Sequence, residues 1–170
     1  MGILDKISLF ELKDRALDLK PETKVFFNKI RKKKPKKLDK IMKELHDEVF
    51  EDINCLECAN CCKSISPTLY DKDVERLAKH FKMKPSQFVD EFLYVDNEGD
   101  YVFQKTPCPF LMADNYCMAY ENRPKACREY PHLDRKRFYQ ILNLTLKNTE
   151  VCPAVFDAVD KLKERKEGLS

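Results

Sequence analysis

The sequence places four cysteines within eight residues, in the stretch CLECANCC at 55–62. Four more follow at wider spacing, at Cys108, Cys117, Cys127 and Cys152. Thiols at this density are oxidised to disulfides, buried as inert groups or used to hold metal. Disulfides and metal sites both require a fold that brings distant cysteines together.

The N-terminal stretch MGILDKISLFELKDR argues against disulfides. It lacks the basic start, the long apolar run and the small-residue cleavage site of a secretory signal peptide. No stretch reaches the roughly 20 apolar residues of a membrane span. We therefore expect a cytoplasmic protein without a transmembrane segment, whose reduced thiols bind metal. Disulfides and inert buried thiols are the alternatives.

Hydrophobic periodicity predicts a mainly α fold with one or two small β-hairpins and a compact, cysteine-rich metal-binding core. Proline and glycine mark many of the element boundaries. The segment YVDNEGDYVFQ predicts a hairpin, CPFLMADNYCMAY a second hairpin or knuckle, and RPKACREYP a short helical turn. Helices are predicted over 3–19 (ended by Pro21), 38–53, 67–81, a short stretch from Pro85, 134–147 (where an alternating strand pattern competes) and 153–166.

The predicted organisation is a single globular unit built from three segments. Residues 1–54 form a helical N-terminal extension that carries a basic segment. Residues 55–153 form the cysteine-cluster metal-binding domain. Residues 154–170 form a C-terminal helix that packs on this domain.

Cys55, Cys58 and Cys61 recur every third residue, and this spacing lets a loop wrap around one centre. Bacterial ferredoxin loops use the same spacing, followed by a Cys-Pro pair. Here Cys108-Pro109 and Cys152-Pro153 are remote pairs of that kind. Cys62 complicates a one-site interpretation, because neighbouring side chains point apart in an extended segment. Either two sites share the eight cysteines, or one site is accompanied by structural or redox thiols.

The residue types between the cysteines bear on the choice of metal. Zinc and iron–sulfur sites both take four thiolates, so charge does not distinguish them. Zinc knuckles place C-x2-C pairs on tight turns, often beside glycine, whereas Glu57, Ala59 and Asn60 stand here. Three ligands within seven residues are commoner in clusters. We favour an iron–sulfur cluster, with zinc as the alternative, held by Cys55, Cys58, Cys61, Cys62, Cys108, Cys117, Cys127 and Cys152.

CLECANCC together with CPFLMADNYCMAYENRPKACREYP and the late Cys152-Pro153 resembles the CxxCxxCC cysteine-cluster family, the YkgJ-like proteins. The resemblance spans about 55–153 and leaves residues 1–54 outside it. It implies chelation of zinc or iron and supplies no established reaction.

Two arginines are candidate second-layer residues around such a centre. Anionic thiolate sites are stabilised by nearby cations and N–H donors. Arg128 directly follows Cys127, and Arg123 lies within a turn of it. Surface ion pairs or helix capping are the alternative roles of both. Among the histidines, His132 alone is kept as a reserve ligand.

The functional interpretation stays open between three classes. The first is a metal-binding protein whose cluster transfers electrons or senses redox state. The second is a metal-dependent enzyme with an open coordination position, for which the sequence nominates no catalytic residue. The third is a zinc-stabilised interaction or delivery protein that uses the basic segment 29–43 to bind a protein partner. We do not expect that segment to bind nucleic acid or membrane, because it lacks interleaved aromatic residues.

Overall fold

The computed structural model describes residues 9–165 and residue 169. The chain divides into two compact units. The described parts of 1–54 and 131–170 form the first, which we call the helical unit, and Cys55–Tyr130 forms the second, the cysteine unit. The predicted domain boundaries, after residue 54 and after residue 153, stay predictions.

Helices dominate both units. The elements are α1 (Leu9–Lys33), α2 (Leu38–Asp52), α3 (Cys55–Cys58), α4 (Asn60–Ser64), α5 (Asp71–His80), α6 (Pro85–Phe92), β1 (Leu93–Val95), β2 (Tyr101–Phe103), α7 (Lys125–Glu129), α8 (Leu142–Asn148) and α9 (Pro153–Glu164), with 3₁₀ turns at Tyr120–Asn122 and Phe138–Gln140.

The helical unit is built on the pairing of α2 with α9, while α1 packs on α8 and α9. The apolar residues of α2 recur three and four positions apart, so they share one face of the helix. That stripe and its counterpart on α9 are buried as predicted, through Leu38, Ile41, Met42, Leu45 and Val49 and through Val155, Phe156, Val159 and Leu162.

The prediction that Pro21 ends the first helix is wrong. Helix α1 runs through Pro21 to Lys33, and the part of the prediction at 3–8 lies outside the described residues. Proline inside a helix removes a backbone hydrogen bond and crowds the preceding turn. Burial continues on one face beyond the proline, at Thr23, Phe27 and Ile30, and offsets that cost.

The cysteine unit has an aromatic core. The Phe110 ring lies 4.6 Å from that of Phe81 and 5.3 Å from that of Phe103, centroid to centroid. Phe88 and Leu77 are fully buried in the same cluster, against which Cys108 and Cys117 pack. Two cysteines are thereby anchored to the best-packed part of the unit.

The predicted first hairpin is confirmed, with β1 and β2 antiparallel and Leu93 opposite Phe103. Its turn is closed by Asp96, whose Oδ1 accepts N–H bonds from Glu98 and Asp100, and by Gly99 at φ 89°. The second predicted hairpin is reduced to a single bridge, Leu111 opposite Cys117. The fold class is therefore confirmed as mainly helical with a small antiparallel hairpin.

Two predicted helices are shorter than expected. Helix α5 begins at Asp71 and not near Pro67, because Leu69 instead forms a bridge with Tyr101. The segment 134–147, predicted as one helix, becomes α-helical only at Leu142, after the 3₁₀ turn, and the helix ends at Asn148. Among the described residues, no helix combines the length and apolar character that a bilayer crossing requires.

Leu77→Ala should destabilise the protein, because Leu77 is fully buried in the aromatic core. Truncating such a leucine costs about 2–5 kcal/mol, from lost transfer energy and the cavity left behind. Chemical denaturation monitored by circular dichroism measures this difference. Val95→Ala is the control, since Val95 is 56% exposed. Equal effects of the two changes would contradict the assigned core.

Candidate metal centre

The CLECANCC stretch folds as two short helices, α3 and α4, joined at Ala59 with φ 47° and ψ 16°. Within a helix successive side chains differ by about 100°, so neighbours do not point to opposite sides as they do in extended chain. The Sγ atoms of Cys61 and Cys62 consequently lie 4.0 Å apart. The expectation that these two side chains diverge is therefore wrong, because the segment is helical.

The separation of these two sulfurs is compatible with a shared metal ion. Two thiolates on one tetrahedral zinc, each at about 2.3 Å, stand about 3.8 Å from each other. A disulfide would require about 2.05 Å. All eight cysteines carry free thiols.

Cys108 and Cys117 lie on either side of a tight turn that contains Asn115 in the left-handed conformation, at φ 68°. Burial raises the pKa of the Cys108 thiol to about 11, although the backbone N–H groups of Phe110 and Leu111 donate to its sulfur and oppose the shift. Burial also raises the pKa of Cys117, opposed by the N–H of Ala119. Such N–H···S bonds stabilise the thiolate form and orient the sulfur toward a metal.

Two hydrogen bonds join this turn to the CLECANCC helices. The Cys108 N–H donates to the Cys62 carbonyl (2.8 Å), and Asn115 Nδ2 donates to the Glu57 carbonyl (2.8 Å). Backbone pairing thus brings together cysteines separated by 46 positions in the numbering.

Cys127 joins the same group from α7. Burial raises the pKa of the Cys127 thiol to about 12, and the negative charges of Cys62, Cys108 and Cys117 raise it further. Burial likewise raises the pKa of Cys55, with contributions from Cys58 and Cys62. Cys62 is thus the common electrostatic neighbour, and we define the thiol cluster as Cys55, Cys58, Cys61, Cys62, Cys108, Cys117 and Cys127.

Arg123 is the cation that acts on the largest number of these thiols. Its charge lowers the pKa of four of the thiols, at Cys55, Cys62, Cys117 and Cys127. The guanidinium lies 3.7 Å from the centroid of the Tyr120 ring, and Nη1 donates to the Tyr120 carbonyl (3.2 Å). Arg128 is placed differently, since its Nη1 donates to the Arg123 carbonyl (2.6 Å).

The pKa of Cys62 is lowered, whereas those of Cys55, Cys108, Cys117 and Cys127 are raised. The hydrogen bond from Cys61 lowers the pKa of Cys62 to about 7, burial opposes this, and Arg123 and Lys63 lower it further. A thiolate at neutral pH is the form that binds metal.

The chemistry of the donor set suits iron or zinc, because both metals bind thiolate sulfur. Among the described residues, however, no three cysteine, histidine or acidic side chains stand close enough together to hold an ion. The sulfurs must therefore be drawn together when metal binds. Neither α3 nor α4 contains a buried residue, so little packing opposes their adjustment.

Residues 54–153 match the model of a protein family described as "CxxCxxCC: Putative zinc- or iron-chelating domain". The chain belongs to the CxxCxxCC family. No curated protein and no solved structure matches the chain.

Cys152 lies within the stretch matched to the CxxCxxCC domain but belongs to the helical unit. It is 7% exposed and occupies the N-cap position of α9, with its N–H donating to the Asn148 carbonyl (2.8 Å). The reserve ligand His132 also belongs to the helical unit, at φ 66°. A metal-binding role for Cys152 stays a prediction.

The structure adds two supporting residues of the CxxCxxCC domain that sequence reasoning missed, Asp73 and Arg76 on α5. Asp73 accepts from Arg76 Nη2 (2.5 Å) and from the Lys125 N–H (3.0 Å). Arg76 in turn donates to the carbonyls of Asn122 (3.2 Å) and Arg123 (2.9 Å). The segment that carries Arg123 and Cys127 is held to α5 by these bonds. The sequence carried one signal for Asp73, because this aspartate lies on the apolar face of the helix predicted over 67–81.

Asp73→Asn should lower the stability of the CxxCxxCC domain by about 2 kcal/mol at neutral pH, since bonds to a buried charged acceptor are lost. Burial alone raises the pKa of Asp73, but Arg76 and the N–H groups of Tyr70 and Lys125 outweigh it and leave that pKa below 3.8. The contribution is therefore present above about pH 4 and is lost as the pH falls through the depressed folded-state pKa. Denaturation at neutral and acidic pH measures the gap between variant and wild type, which should close in acid.

The exposed Asp90→Asn change is the matched control for this comparison. A gap between wild type and Asp73→Asn that persists unchanged in acid would show that charge is not its origin.

Cys62 should be the first thiol alkylated by iodoacetamide in reduced, metal-free protein. The rate of Cys62 alkylation should reach half of its maximum near pH 7, because the thiolate is the reactive form and the pKa of Cys62 is about 7. Cys61→Ala should move that midpoint toward the ordinary value of 9.0, because the main cause of the lowered pKa is removed. Peptide mapping by mass spectrometry follows the rates, with Ser64→Ala as control. A wild-type midpoint near 9.0 would refute this assignment.

Proposed function

We propose that the CxxCxxCC domain binds an iron–sulfur cluster through its thiol cluster and serves electron transfer or redox sensing. The observation that supports this most is the gathering of seven cysteine thiols beside one stacked arginine, with five of the other six interacting with Cys62. The family description supports chelation of zinc or iron and leaves the redox role to this proposal.

The number of thiols favours more than one metal centre. One structural zinc ion and one iron–sulfur cluster each take four cysteine ligands, whereas seven thiols gather here. The N–H donors to Cys108 and Cys117 and the charge of Arg123 are also the groups by which proteins adjust cluster potentials. A positive charge at Arg123 would favour the more negative, reduced form of a bound centre.

When bound, an iron–sulfur cluster supplies one-electron redox chemistry. The residues of this chain hold and surround it. Cysteine sulfurs are the ligands, Arg123 offsets their negative charge, and Tyr120 keeps the guanidinium in place. Cys152 is retained as the proposed eighth ligand.

Zinc binding is the second candidate, and one observation favours it. The Sγ atoms of Cys61 and Cys62, 4.0 Å apart, have nearly the separation of two thiolates on a single tetrahedral ion. With every ligand position taken by cysteine, the zinc would be structural and the protein an interaction or delivery module. A metal-dependent enzyme requires an open coordination position and stays a prediction.

Anaerobic purification, followed by metal and sulfide analysis and an absorption spectrum, tests the proposal. Iron with sulfide and a broad visible band that bleaches on reduction is the expected result, while a colourless protein with stoichiometric zinc would select the second candidate. Cys58→Ser should lower metal content and melting temperature together, because metal binding is coupled to local folding. Glu57→Gln, which retains all thiols, is the matched control.

Two results of these measurements would change the set of proposed ligands, and a third would refute metal binding. Unchanged metal content in Cys58→Ser removes Cys58 from the ligand set. Unchanged content in Cys152→Ser restricts the ligands to the thiol cluster. Wild-type protein without iron or zinc would refute both candidates.

A further inference from the structure

Two basic segments that are distant in the sequence meet in the helical unit. Asp39, just after the first, accepts N–H bonds from Arg137 (2.7 Å) and Phe138 (2.9 Å). Lys34 Nζ lies 5.4 Å from the centroid of the Tyr139 ring. We call the resulting cations the basic surface: Lys29, Arg31, Lys32, Lys33, Lys34, Lys36, Lys37, Arg135, Lys136 and Arg137.

Most of the positive charge of the basic surface is not compensated locally. All ten side chains are exposed, and none forms an ion pair with a carboxylate of the described chain. Asp39 and Asp134 stand beside these cations in the sequence, and their two negative charges reduce the local excess of positive charge from ten to eight. With a formal charge of +3 for the whole chain, ten positive charges here leave −7 for the rest.

We propose that the basic surface binds the phosphodiester backbone of nucleic acid. Closely spaced, unpaired lysines and arginines displace counterions from a polyanion, and this supplies affinity without base recognition. Of the exposed large apolar side chains in the described chain, none lies within 28–40 or 133–140, so the apolar anchors of a membrane-binding surface are absent there. This proposal departs from the expectation for the segment 29–43 alone, because the fold brings three further cations from 135–137 to it.

Fluorescence anisotropy with a labelled single-stranded RNA and a labelled DNA duplex, each of about 20 nucleotides per strand, tests the proposal across a salt series. We expect micromolar binding at low salt that weakens steeply as salt rises. The decisive variant is Arg135→Gln/Lys136→Gln/Arg137→Gln, because its changes lie outside the long lysine run. It should weaken single-strand binding about tenfold and reduce the salt slope by about 2, at about 0.7 per lost phosphate contact.

The matched control removes three exposed lysines elsewhere, as Lys13→Gln/Lys79→Gln/Lys105→Gln, with the same change in net charge. Its affinity should stay within about twofold, since its lysines lie outside the basic surface. Circular dichroism melts verify that both variants fold. Equal losses in both variants would overturn the proposal, as would no binding of either nucleic acid at low salt.

Two further results would overturn it in favour of another partner. In one, polyglutamate competes for the surface as well as RNA does, which indicates an acidic protein. In the other, the protein binds vesicles rich in phosphatidylserine but neither nucleic acid. If the protein binds one of the two nucleic-acid probes more tightly, that probe identifies RNA or DNA as the nucleic acid whose phosphodiester backbone is bound.

Discussion

The burial of many thiols close together is the constraint on which the cysteine unit depends. Seven thiols gather in one cluster, and burial raises the pKa of Cys55, Cys108, Cys117 and Cys127, with smaller contributions from the charges of neighbouring thiolates. Protons keep most of these groups neutral in the metal-free chain. Metal ions can replace the protons, because they neutralise the same charge and draw the sulfurs together. The folded chain therefore gathers donors that only a bound cation allows to ionise together.

The scaffold and the thiol cluster are stabilised in different ways. Packed phenylalanines and the bonds from Asp73 and Arg76 hold the turn with Cys108 and Cys117 and the segment with Cys127. Helices α3 and α4 bury no residue and are joined to the turn by one backbone hydrogen bond and one bond from the Asn115 side chain. Metal therefore contributes most to the order of the CLECANCC stretch and least to the aromatic core. This division leaves four cysteines adjustable and the others fixed.

Features of the structure that depend on one local property of the sequence could be predicted. The stripe of α2, the hairpin at 93–103 and the membership of the cysteine-cluster family follow from periodicity, turn residues and spacing. Features that depend on the balance between two opposing effects could not be predicted. The passage of α1 through Pro21 depends on burial beyond it, and the helical state of Cys61 and Cys62 reverses the directions expected for extended chain. The contacts of Asp73 and Asp39 join segments about 50 and 100 positions apart, which no local pattern encodes.

Charge is distributed unequally between the two units, and metal binding enlarges the difference. Residues 55–130 contain twelve acidic and ten basic side chains, a net charge of −2 before any thiol ionises, and the remaining residues carry +5. Seven thiolates around two divalent ions would add −3 to the cysteine unit. A polyanion is thus attracted by one unit and repelled by the other, and more strongly when metal is bound. Since such fields guide the encounter of charged molecules, metal loading would lower the formal charge of the whole chain from +3 to 0 and leave the basic surface as the part that attracts a polyanion.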